Sequence, residues 1–338
     1  MSRRKDTPNQ LGLFGPIEDE QPARPKLAAA EVPDDVRALG ERLSRRIHLG
    51  TSSWAFAGWR GIVYAEDAPQ RHLSRHGLGA YGQHPLLRTV GVDRTFYAPI
   101  PAEEFAGYAE QVPDDFRFLV KAWGEVTSPT LPGRTGLNPN HLDADCALDH
   151  CVAPAREGLG DKLGPMLFQF PPQGGAITRK PDAFADRLHG FFDALPKGPR
   201  YVVELRDEQL FTGRYVEALR AAGAQHGYVA HPRMPSLQRQ REVAPIAGPT
   251  TVRWMLHQGF AYEQAKERYQ PFDALVDQDP GTRQAIVDMA REAIALDVEM
   301  VVVVNNKAEG SSPLSVLELA RAIVQASVDA NDRSTSRS

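Results

Sequence analysis

Residues 300–310, MVVVVNNKAEG, constrain the fold of this chain more than any other stretch. Four consecutive valines cannot form a half-solvated strand, because side-chain alternation would expose two of them. They read as a strand buried on both faces, as in a parallel sheet covered by helices. The run stops at Asn305, Asn306 and Lys307, so polar groups gather at its C-terminal end. In parallel α/β proteins that end is where ligands bind.

The same sequence, apolar run then polar cluster, recurs along the chain. It predicts strands over 47–54, 86–95, 116–122, 166–170, 201–205, 225–230, 251–256 and 299–305, with helices over 34–45, 69–80, 101–111, 282–296 and 314–326 among the connections. Paired prolines, Pro171 and Pro172, halt the fourth strand because they donate no ladder bond. Eight such units close into a (β/α)8 TIM barrel, an α/β fold in a single domain. A doubly wound open sheet is the alternative. No G-x-G-x-x-G or Walker-type loop supports a dinucleotide or P-loop site.

At 338 residues the chain accommodates one barrel plus tails. Its formal net charge of −4 gives no general attraction to nucleic acid or anionic membrane, although a local basic groove is compatible with it. No apolar run approaches the roughly 20 residues that span a bilayer. MSRRKDTPNQ has no apolar segment behind its positive charges, so no secretory signal is read. Cys146 and Cys151 share one predicted helix and face different sides. Two cysteines without a framework fit a reducing cytoplasm.

Residues 1–32 are expected to be a disordered tail, 33–328 the barrel, and 329–338 a second disordered tail. An apolar island, Gln10-Leu11-Gly12-Leu13-Phe14, interrupts the first tail. It either docks into a partner's pocket or folds back onto the body. The pattern resembles the bacterial sliding-clamp-binding peptide, and Gln10, Leu11, Leu13 and Phe14 match its defining positions. That resemblance implies a DNA polymerase sliding clamp as partner.

Several strand ends taken together resemble a second family. The set GTSSW with Trp59 and Gly61, RTFYAPIP, FRFLVKA, LGPMLFQFPP, YVVELRD, and VVVVNN with Gly310 is similar to the YecE-like family, domain of unknown function seventy-two. The resemblance covers residues 47–325 and implies a TIM barrel without an established activity. The chain departs from that family's pattern at several places. Gly91 stands where a glutamate is usual, with Asp93 nearby; Thr127-Ser128 replaces a Thr-His pair; Asp207 replaces a histidine; and His257 is displaced.

Barrel enzymes carry their working residues at strand C-termini. The candidates there are Trp54, Asp93, Tyr97, Lys121, Gln169, Glu204, Arg206, Asp207, His231, Arg253, His257, Asn305 and Asn306. Glu204, Asp207 and His231 are the candidate proton-transfer groups. Arg206, Arg253 and Lys121 suit a phosphate or carboxylate. Glu204 and Arg206, two apart, face the same side and either serve the ligand or pair with each other. Glu204, Asp207, His231 and His257 leave a divalent metal site open, although no H-x-H or H-E-x-x-H spacing is present. Trp54, Trp59, Phe96, Tyr97 and Phe170 could stack bases or sugars or pack the core.

Three functions follow as expectations. One is a DNA-maintenance enzyme, hydrolytic and phosphodiesterase-like, tethered to the clamp and acting on single-stranded or damaged DNA. Barrel nucleases of the endonuclease IV type give that reading a fold-level analogy only. The second is a small-molecule enzyme for a phosphorylated or carboxylated sugar-like substrate. The third is a non-catalytic binding module.

Overall fold

The computed structural model describes residues 27–133 and 135–335. Eight strands form the barrel: β1 (Ile47–Thr51), β2 (Thr89–Val92), β3 (Arg117–Lys121), β4 (Leu163–Gln169), β5 (Arg200–Glu204), β6 (Gln225–Ala230), β7 (Thr250–Trp254) and β8 (Met300–Val304). Each pairs in parallel with the next, and β8 pairs with β1 to close the ring. The valines of β8 are buried on both faces, as their composition demands. Val301 and Val303 join Leu119, Leu167 and Val202 in an apolar plug inside the barrel. Met300, Val302 and Val304 face outward into the larger core beneath the helices.

The register fixes which later residues point inward. Leu167 pairs with Lys121 and Val202, and Gln169 pairs with Glu204. Arg253 pairs with Val303 and with Val229. Because inward residues recur at every second position, Lys121, Gln169, Glu204 and Arg253 stand on the plug's face, one step nearer the C-terminal mouth.

Strand ends differ from the expectation in places with a local cause. The second strand, expected to reach 95, gives way to a 3-10 turn at Asp93–Phe96. There the Thr95 hydroxyl donates to Val92 O at 2.7 Å and also meets Lys121 O, competing with the ladder. The first strand stops at Thr51, whose hydroxyl reaches Ser53 O at 2.7 Å and the Tyr81 hydroxyl at 2.9 Å. The fourth begins at Leu163, three residues early, with Pro165 near its start, where a missing donor is tolerated.

The tail boundaries also move. Residues 28–32, assigned from sequence to the first tail, are tied down: Ala30 N donates to Val63 O at 2.9 Å, and Ala30 and Val32 are buried. At the other end one helix runs over Ser312–Thr335, through residues expected to be unstructured. Gln10, Leu11, Leu13 and Phe14 lie outside the described residues. Among the described residues both cysteines are free, and no helix is long and apolar enough to cross a membrane.

Gly50 lies where β1 packs directly against the backbone of Thr89 on β2. A Cβ built there would lie 1.8 Å from Thr89 O, a backbone atom that cannot step aside. Gly190, exposed in the helix Pro181–Ala194, has nothing within 4 Å of such a Cβ. Gly50→Ala should therefore cost about 3 kcal/mol or more of folding stability. Gly190→Ala should add about 0.5–1 kcal/mol. Urea denaturation of the two variants checks both signs.

Candidate functional site

Charged side chains replace apolar ones above the plug. Glu204, the last residue of β5, is 0% exposed. An isolated carboxylate cannot stay ionised in such a place, so it must be paired. Arg253 Nη1 lies 3.2 Å from both of its oxygens, and Arg206 Nη2 lies 2.6 Å from Oε1. Arg253 turns its other nitrogen, Nη2, to the two oxygens of Asp93, at 3.3 and 3.1 Å. Glu204 and Arg206 thus pair with each other, and Arg253 links them to Asp93 just past β2.

Burial alone would raise the Glu204 carboxyl. Arg206, Arg253 and Lys121 outweigh it and hold the carboxyl below its ordinary value, so Glu204 is ionised. Burial likewise opposes charge on both guanidiniums. At Arg253 two carboxylates reverse the effect and hold it above the ordinary value. At Arg206 burial outweighs Glu204, the neighbouring Arg253 adds to the deficit, and the guanidinium is held low. It remains protonated, as arginine does in proteins, and is therefore an under-compensated cation. Its Nη1 is buried without a hydrogen-bond acceptor among the described residues.

Lys121 ends β3 on the same inward face. Its Nζ lies 3.8 Å from the centroid of the Phe96 ring. Burial, partly offset by Asp93, pushes its ammonium down to about 8. His231, just past β6, is pushed down to about 4, first by burial and then by Arg206. It is neutral near pH 7. Its Nδ1 accepts from Arg233 N at 3.1 Å, which leaves the proton on Nε2.

A pocket of about 140 Å³ adjoins this cluster, lined by Ser52, Trp54, Gly91, Asp93, Tyr97 and Tyr108 among others. Asp93 belongs to both. Trp54 is buried with its indole N–H on Ser74 O at 3.2 Å, while Tyr97 is 60% exposed at the rim. Two larger hollows lie elsewhere. One of about 480 Å³ opens at the opposite end of the barrel, beside Arg117, Arg200 and Glu299. One of about 260 Å³ lies outside the barrel, near Leu219 and Ile246. The mouth is the better site despite its smaller volume, because there the charged groups converge at strand C-termini.

Other expected residues have structural roles. Asp207 accepts from Gln173 N at 2.6 Å and from Arg233 at 3.4 Å, pinning the loop after β4. Asn306 accepts from Ser312 N and from its hydroxyl, each at 2.8 Å, and so caps the last helix. Asn305 donates to the Ser52 hydroxyl at 2.8 Å and joins the ends of β8 and β1. Gln169 is buried and inward, and the backbone N–H of His257 is held by Lys307 O at 2.9 Å. Trp59 and Phe170 are core residues with 0% exposure. Glu204, Asp207, His231 and His257 do not gather as metal ligands. Among the described residues no group of three or more His, Cys, Asp or Glu side chains does so. Sequence reasoning missed Tyr108 and Tyr262, which lie on connecting segments; Lys307 Nζ sits 4.2 Å from the Tyr262 ring centroid.

Removing the central carboxylate should be costly. Glu204→Gln leaves two buried guanidiniums under-compensated and should lose about 3–5 kcal/mol, read by urea denaturation. The sign with pH follows from the lowered carboxyl. Its stabilisation is complete above the unfolded glutamate value of about 4.3 and is lost as pH falls through the lower folded value. The wild type should therefore show an acid limb of stability that the variant largely lacks.

The model of the family described as protein of unknown function DUF72 matches residues 48–337. The UPF0759 protein YunF of Bacillus subtilis strain 168 is 29% identical over 132 residues, covering 37% of this chain and 40% of that protein. The match thus spans less than half of that relative's length. A DUF72 family protein from Enterococcus faecalis V583 superposes with a TM-score of 0.55 at 19% identity, over 82% of this chain and 95% of that one. One from Thermotoga maritima MSB8 gives 0.53 at 20% identity, over 81% and 98%. At these identities the two structures bear on the fold alone. With its barrel closed and the family model spanning nearly all of it, this chain belongs to the DUF72 family, whose function is unknown.

Proposed function

We propose that the barrel mouth binds a small substrate through a phosphate or carboxylate group, as in a small-molecule enzyme of the sugar-phosphate or sugar-acid type. The observation that carries this reading is Arg206. It is a buried, under-compensated cation with an Nη1 that lacks an acceptor among the described residues, two residues past the C-terminal end of β5. An anion there would complete its hydrogen bonding with charge-assisted bonds. Around it, Lys121, Arg206 and Arg253 carry three positive charges against the two of Asp93 and Glu204. The adjoining pocket, with Trp54 and Tyr97, has a size suited to a small ring rather than a duplex.

Roles shift within this reading. Glu204, buried and ionised with its oxygens on two guanidiniums, acts as a positioning residue for the arginines rather than as a proton-transfer group. Arg253 is a rigid strut between Glu204 and Asp93. Proton transfer falls to Lys121 and His231, both within electrostatic reach of Arg206 and Glu204. The test is thermal denaturation with inorganic phosphate, glucose 6-phosphate and glucuronate. A ligand at a hundred times its Kd should stabilise the fold by about 2.7 kcal/mol. Arg206→Gln should weaken that binding about tenfold or more. No stabilisation by any of the three compounds would sink the reading.

The pentapeptide Gln10–Phe14 favours a second element, recruitment to the replication sliding clamp, with single-stranded or damaged DNA as the alternative substrate class. Titration of the full chain against the clamp of its host should give micromolar binding, abolished by Leu13→Ala with Phe14→Ala. If the wild type fails to bind, the DNA reading loses its motivation.

A further inference from the structure

Lys121 is placed unlike the chain's surface lysines. Lys180 and Lys197 are exposed, whereas Lys121 sits inside the barrel rim, partly exposed, with its Nζ against the face of Phe96. The charged groups around it are Asp93 after β2, Glu204 at the end of β5 with Arg206 just past it, and Arg253 on β7. Both carboxylates are already engaged by the arginines, at 2.6 to 3.3 Å. Among the described residues Lys121 has no carboxylate within ion-pairing distance, and its Nζ rests on the ring of Phe96. A lysine so placed can shed its proton without breaking a salt bridge.

The substrate contact is also placed. Among the described residues Arg206 Nη1 is buried without an acceptor in the same charged cluster, close enough to act on the Lys121 ammonium, so an anion accepted by that guanidinium is held beside the Lys121 amine. Apolar cover on one side and an anion anchor on the other is what an amine nucleophile needs: desolvation next to other cations. With its ammonium near 8 against an ordinary 10.5, the neutral amine is roughly 300 times more abundant at pH 7 than at an exposed lysine.

We infer that Lys121 is a covalent nucleophile that forms an imine with the carbonyl carbon of a small anionic aldehyde or ketone whose phosphate or carboxylate rests on Arg206. The inference builds on the anion-binding reading above and adds the substrate's reactive group. The Nζ lone pair attacks the carbonyl carbon and the C=O π pair moves to oxygen. Both N–H hydrogens then leave with that oxygen as water while the nitrogen pair closes the C=N bond. No oxidant or reductant is consumed.

The experiment uses the full chain at pH 7 with sodium cyanoborohydride, which reduces an imine to a stable secondary amine. Glyoxylate serves as the anionic aldehyde and propionaldehyde as the neutral one. Modified lysines are mapped by peptide mass spectrometry, with and without inorganic phosphate as competitor. The expected result is Lys121 alkylated by glyoxylate at least tenfold faster than Lys180 or Lys197, slowed by phosphate and lost in Lys121→Met. The map is made on the wild type, so it stands even where that variant fails to fold. Labelling of Lys180 and Lys197 with Lys121 untouched would overturn the imine, and thermal stabilisation by phosphate in the same samples would leave the anion site standing. Fast labelling of Lys121 by both aldehydes at equal rates, indifferent to phosphate, would support the nucleophile and overturn the anion site.

Discussion

The barrel mouth depends on one buried carboxylate. Glu204 has no exposed surface, and a charge in that position is tolerated only when opposite charges and hydrogen bonds surround it. Its partners come from just past the end of the same strand and from β7, and Arg253 carries the linkage on to Asp93 beyond β2. Four side chains from three parts of the ring are therefore fixed relative to one another by electrostatics in a low-dielectric interior. The apolar plug of Leu119, Leu167, Val202, Val301 and Val303 lies directly below and keeps water from reaching the cluster from the far end. Hydrophobic closure and polar organisation are two consecutive layers of one inward face.

Such a layer is arranged before any ligand arrives. Arg253 spends both of its terminal nitrogens on protein carboxylates, so it is a strut. Arg206 spends one and keeps one, so it is oriented without being satisfied. Donors held in that way stabilise an incoming anion with little reorganisation. Lys121 is bounded by the same network but excluded from its ion pairs, and this separates its chemistry from that of the arginines. Three cations of similar sequence appearance thus have three different physical situations.

Sequence carried the architecture because the barrel imposes a periodic, local signal. Double-sided burial of 301–304 and abrupt polar ends are visible in one strand at a time. Lys121, Gln169, Glu204 and Arg253 were legible as strand-end residues among the other candidates, but the face they share emerges only from the register of the closed barrel. Partnership was not legible. Arg253 and Glu204 are 49 positions apart, and Arg253 and Asp93 are 160 apart. Which of two same-side neighbours pairs with which depends on register between strands that sequence spacing does not encode. The apolar side chains misled in the opposite direction. Trp59 and Phe170 follow strand ends as mouth residues would, yet the chain turns back there and buries them. Asn306 looked like a ligand contact because its role as a cap depends on where the last helix begins.

The position before the TFY segment connects these layers. The family pattern that this chain resembles has a glutamate there, and this chain has Gly91. Its backbone lies beside Ser52, and a Cβ would come within 3.3 Å of Ser52 Cα. Gly91 also lines the pocket together with Ser52 and Asp93. Two residues later Asp93, in the turn that Thr95 helps to form, supplies a carboxylate to Arg253. Arg253 thus keeps two carboxylates while a hollow opens on the β1–β2 side of the mouth. The Asp93 carboxylate adds to the charge balance around Arg253 and Glu204 and borders the pocket at the same time.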